Sequence, residues 1–94
     1  MTNDNPTVAV VGLGYIGLPT AAIIARSGCQ VIGVDTSPNV VDTINRGDIH
    51  IEEVDLDGLV QAVVARGTLR ASNEMPEADV YVIAVPTPFV KESG

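Results

Sequence analysis

Apolar residues in this chain come in short runs, punctuated by glycine, proline and charge. The run Thr7–Val11 (TVAVV) has no polar alternation and predicts a buried strand. A helix is expected from Ile16 to Ser27, with Pro19 tolerated in its opening turn and Gly28 as its stop. Val31, Ile32 and Val34 predict a second strand that ends at Asp35. Ser37 and Pro38 then supply an N-cap and a first helical residue. Val40, Val41 and Ile44 give that helix its apolar face, and Gly47 ends it. The stretch Asp48 to Val54 has no period and reads as a loop. The clearest helical pattern follows, with Leu56, Leu59, Val60, Val63 and Val64 recurring on one face. Asp55 is its expected cap and Gly67 its end. Thr68–Ala71 predicts a short strand, Asn73 to Ala78 a turn around Pro76, and Val80–Val85 an apolar strand closed by Pro86 and Pro88.

The predicted order is β-α-β-α-α-β-β. Right-handed crossovers between parallel strands then give the strand order 3-2-1-4. The expected fold class is α/β, a Rossmann-like half of a doubly wound parallel sheet. All 94 residues fit one domain.

Composition narrows the partners. Hydrophobic residues make up 46% of the chain but aromatic ones only 3%, so the core must be aliphatic. A formal net charge of −7 argues against nucleic acid and against an anionic membrane surface. A single cysteine allows no internal disulfide. The opening MTNDNPT lacks the basic and apolar regions of a signal peptide, and no apolar run reaches membrane-spanning length. A cytoplasmic protein is expected.

The chemistry concentrates in Gly12-Leu13-Gly14-Tyr15-Ile16-Gly17, a G-x-G-x-x-G spacing placed between a strand and a helix. Gly12 lets the chain turn tightly, Gly14 lets the backbone lie against a pyrophosphate, and Gly17 lets the helix approach the sheet. The helix N-terminus then faces the phosphates. Tyr15, within the loop, either covers a cofactor or packs on the helix. Asp35, at the carboxyl end of the second strand, suits both hydroxyls of an adenosine ribose and repels a 2′-phosphate, favouring NAD over NADP. A turn or capping aspartate is the other reading of it. Val85-Pro86-Thr87-Pro88 would face the glycine loop across the crevice, with Thr87 offering a hydroxyl, or would simply lead into a loop.

Other polar residues carry less. Cys29 falls between a helix and the amino end of a strand, away from the ligand face. His50, with Glu52 and Glu53, reads as a solvated loop cluster, and no metal site is expected. Asp42, Asp48, Asp55 and Asp57 read as surface acids.

The segments GLGYIGLPTA, VIGVD, INRGDIHIEE, LRAS and VIAVPTPF together resemble the amino terminus of the UDP-glucose/GDP-mannose dehydrogenase family. The INRGDIHIEE and LRAS stretches are most similar to the branch acting on UDP-N-acetyl-D-mannosamine. The resemblance implies NAD-dependent oxidation of a sugar-nucleotide C6 alcohol to a carboxylate, through two hydride transfers and a cysteine thiol. It implies cofactor contacts at Gly12, Gly14, Tyr15, Ile16, Gly17, Asp35 and Thr87. Val40 replaces a basic residue that some relatives hold near the adenosine, and Val54 replaces a proline. The family's catalytic cysteine and UDP-sugar site lie beyond the matched region, so no catalytic residue is expected here and the chain alone is expected to be inactive. Other readings are a UDP-glucose, hydroxyacid or 6-phosphogluconate type of dehydrogenase, or a stand-alone NAD-sensing module. Residues 80–85 are expected to form an open apolar edge that promotes self-association.

Overall fold

A computed structural model describes residues 6–84. Its elements are β1 (Thr7–Val11), α1 (Gly17–Arg26), β2 (Gln30–Val34), α2 (Pro38–Asn45), α3 (Leu56–Arg66), β3 (Leu69–Ser72) and β4 (Val80–Ile83). They form one parallel sheet in the order β3-β2-β1-β4, as the crossover argument requires. Val10 sits level with Gly33 of β2 and Val82 of β4, so the carboxyl ends of the central strands share one rim.

The core follows from the two periodicities. Val8, Val10, Val31, Leu69 and Ala71, alternate positions on their strands, join Leu18, Ala21, Ala22, Ala25, Ile44, Val60 and Val63 from the helices in one buried cluster. Small alanines let α1 lie close over the sheet, while Leu13, Leu18, Ile44 and Leu69 fill the space around it. Burying each of these large side chains stabilises the fold by about 1.5–3 kcal/mol.

Most of the helix punctuation agrees with expectation. The Ser37 hydroxyl accepts the Val40 N–H at 3.3 Å and Pro38 opens α2. Gly28, Gly47 and Gly67 take the positive φ that ends each helix. Asp55 is a correction. It occupies the N-cap position of α3 but with φ 67°, and its side chain makes no cap hydrogen bond. The Leu56 N–H goes instead to the Glu53 carbonyl at 3.2 Å, so a backbone turn satisfies the helix start. The loop before it also does more than connect, because Ile49 and Ile51 pack against the core.

One side chain substitutes for a strand. Asn45, the last residue of α2, donates from Nδ2 to the Ala71 carbonyl at 3.0 Å and accepts the Ala71 N–H on Oδ1 at 2.8 Å. Ala71 is on β3, the outer strand, and its backbone groups here point away from β2. Asn45 therefore occupies the place a fifth strand would take.

Candidate functional site: the glycine loop and its two flanking hollows

β1 ends in a turn held by its neighbour. Gly12 adopts φ 98° and donates its N–H to the Val34 carbonyl of β2 at 2.7 Å. A Cβ on Gly17 would lie 1.6 Å from the Gly12 carbonyl oxygen, so only glycine admits this approach of helix to turn. Gly14 differs, since a Cβ there would meet nothing within 4 Å. Its bareness serves no contact among the described residues and leaves open space above the loop. Leu13 points inward, and its methyl carbons occupy the space a Cβ on Gly33 would need, 2.7 Å away.

The start of α1 is left unneutralised. Its N-cap position is Ile16, with no side-chain cap, and its first turn contains no acid. The helix thus presents its dipole end to the rim with no carboxylate of its own competing there, although the Leu18 N–H is taken by the Gly14 carbonyl at 3.0 Å and Pro19 has none. Tyr15 and Ile16 beside it are 63% and 72% exposed. Tyr15 therefore leaves most of its ring outside the helix layer.

Asp35 lies against the loop. Its Oδ2 accepts the Leu13 N–H at 3.0 Å and its Oδ1 accepts the Ser37 N–H at 3.0 Å. Each oxygen retains capacity for a further donor. The Asp35 N–H is fixed by the Ser72 carbonyl at 3.1 Å, and its own carbonyl accepts from Asn73 Nδ2 at 2.9 Å. Both neighbouring strands thus hold the carboxylate in place.

Two hollows flank this loop. One, of about 270 Å³, is lined by Val11, Gly12, Val34, Asp35, Thr36, Asn73 and Met75. The other, of about 550 Å³, is lined by Gly14, Tyr15, Ile16, Thr20 and the β4 end at Val82, Ile83 and Ala84. An extended ligand with an anionic centre and two bulkier ends fits such a row. A further hollow of about 500 Å³ beside α3 is ringed by Glu52, Glu53, Asp55 and Asp57, whose charge repels an anion.

Thr87 lies outside the described residues, as do Val85, Pro86 and Pro88. Cys29 is half-buried just before β2, at the opposite end of the strands, with its sulfur 3.8 Å from the Ser27 hydroxyl. His50 is exposed, and among the described residues no three His, Cys, Asp or Glu side chains gather to hold a metal ion. Val40 packs partly against the core. Asn73 and Met75 were missed by sequence reading, because the turn after β3 carries no motif and only its fold-back brings it to Asp35.

Residues 6–94 match the family model described as the UDP-glucose/GDP-mannose dehydrogenase family, NAD binding domain. An NDP-N-acetyl-D-galactosaminuronic acid dehydrogenase from Ralstonia nicotianae is 59% identical over 87 residues, 93% of this chain and 21% of the relative. A UDP-N-acetyl-D-mannosamine dehydrogenase from Escherichia coli is 60% identical over 83 residues, 88% of this chain and 20% of the relative. Among solved structures, the UDP-N-acetyl-mannosamine dehydrogenase from Staphylococcus aureus superposes with a TM-score of 0.84 at 44% identity, covering 87% of this chain and 20% of that one. The chain therefore spans about one fifth of the length of the relatives it matches. With its parallel 3-2-1-4 sheet, open glycine loop and matched sequence, the chain belongs to the UDP-glucose/GDP-mannose dehydrogenase family, in its NAD binding domain.

Proposed function

We propose that this chain holds the adenosine and pyrophosphate portions of NAD for a dehydrogenase that oxidises a UDP-linked N-acetylhexosamine, UDP-N-acetyl-D-mannosamine being the leading substrate. The observation that carries it is the Asp35 carboxylate set 3.0 Å from the Leu13 amide inside the glycine loop. There the carboxylate accepts ribose hydroxyls while the loop and the α1 N-terminus take the diphosphate. Gly12 and Gly17 shape the turn, Gly14 leaves room for the phosphates, and Tyr15 and Ile16 cover the centre of the dinucleotide. Thr87 is the proposed contact on the β4 side. When bound, NAD supplies the hydride acceptor. This chain's own residues bind and orient it, and none of them is proposed as catalytic.

The sugar has support from two directions. The Escherichia coli relative is named for UDP-N-acetyl-D-mannosamine and the Ralstonia nicotianae relative for an N-acetyl-D-galactosaminuronic acid, at 60% and 59% identity. The second is the alternative substrate series. A cytoplasmic place of action and a uronate product destined for polysaccharide complete the proposal. Residues 80–83 are further proposed as a surface for self-association, since β4 has no strand on its outer side among the described residues.

Titration of the chain with NAD, ADP-ribose and NADP tests the proposal. Comparable affinities for the first two and a weaker one for NADP are expected. Absence of saturable NAD binding, or UDP-sugar-dependent NADH formation by these 94 residues alone, would overturn it.

A further inference from the structure

Beside Asp35 the smaller hollow is lined by Thr36 and by the turn that carries Asn73 and Met75. That turn is anchored twice. Asn73 donates its amide Nδ2 to the Asp35 carbonyl at 2.9 Å, and the Glu74 N–H is held by the Ser72 hydroxyl at 3.0 Å. With its nitrogen so engaged, Asn73 has its Oδ1 left for a ligand, and that atom can only accept. Met75, which also lines the hollow, is 57% exposed. Its thioether is a soft, polarizable surface suited to the face of an aromatic ring. The hollow therefore brings together a carboxylate, a hydrogen-bond acceptor and a flexible apolar surface.

We infer that Asn73 and Met75 read the base of the cofactor, selecting a 6-aminopurine over a 6-oxopurine. The inference rests on the NAD reading above and goes further by assigning the base to particular side chains. The ribose hydroxyls meet Asp35, the flat ring lies on Met75, and the exocyclic amine donates to Asn73 Oδ1. A 6-oxopurine presents a carbonyl where the amine would be, placing one acceptor against another. Among the described residues, base recognition uses one amide oxygen and one thioether.

The test is calorimetric titration of the 94-residue chain with NAD and with nicotinamide hypoxanthine dinucleotide. The wild type is expected to favour NAD by about five-fold, the effect of one hydrogen bond. Asn73→Ala is expected to bring that ratio to one. Met75→Ala is expected to weaken both dinucleotides about three-fold and keep the ratio. A purely structural role for Asn73 would weaken both ligands alike and leave their ratio unchanged. Equal affinities in the wild type, or a ratio that survives Asn73→Ala, overturn base reading while leaving Asp35 and the glycine loop in place. Failure of the wild type to bind NAD at all overturns both readings together.

Discussion

Gly17 and Gly12 approach so closely that a single added carbon on the first would sit 1.6 Å from the carbonyl oxygen of the second. The obstacle is backbone on both sides, so no side chain can move aside. Gly17→Ala is expected to destabilise the domain by about 3 kcal/mol, read by urea unfolding. Gly14→Ala separates folding from binding, because nothing among the described residues lies within 4 Å of the new carbon. Its stability should stay within about 1 kcal/mol of wild type, while NAD affinity falls at least about ten-fold. An alanine at residue 14 that binds NAD normally would remove the diphosphate from that space.

Asp35→Asn tests the other half of the site. Its amide nitrogen must face either the Leu13 or the Ser37 N–H, setting a donor against a donor. A loss of about 1–2 kcal/mol in unfolding free energy is expected. The negative charge that repels a 2′-phosphate also disappears. Paired titrations should show the preference for NAD over NADP falling toward unity, and an unchanged preference would exclude Asp35 from ribose recognition.

Asn45→Ala removes both bonds to Ala71 and leaves a strand N–H and carbonyl without their side-chain partner. A destabilisation of about 1–3 kcal/mol is expected. Hydrogen exchange at the Ala71 amide should accelerate more than at Val31 on the interior strand β2. Equal acceleration at both would mean that Asn45 supports the fold without guarding β3.

These outcomes separate what the sequence announces from what only folding reveals. The strands, their order and the α2 cap were legible because Val runs, glycine stops and a Ser-Pro pair act locally. Asp35 was legible because the spacing of the glycine loop and second strand places it at the rim. Asp55 misled because a cap residue type at the right position has no capping geometry when the chain enters in a left-handed conformation. The links Asn45–Ala71 and Asn73–Asp35 join residues 26 and 38 positions apart, and no periodicity encodes such a pair. Gly33 passed unnoticed because its partner, Leu13, is reached across the sheet rim.

Self-association is testable on β4. Val80, Tyr81 and Ile83 are 43%, 46% and 64% exposed, and the strand contains no charge. Tyr81 is tethered through its hydroxyl to the Ala78 N–H and the Pro76 carbonyl, so Ile83 is the cleaner site to alter. Light scattering should show concentration-dependent dimers for the wild type and monomers for Ile83→Lys. A wild type that stays monomeric at high concentration would refute the proposal.

The clasp between Asn45 and Ala71 gives the sheet a direction in which it can grow. At Ala71 one margin is finished by an amide that mimics peptide; beside β4 no strand lies among the described residues. A strand adding beside β3 would first have to displace both bonds that Asn45 makes. The same residue that steadies an outer strand thereby guards it, at Ala71, against an unwanted neighbour.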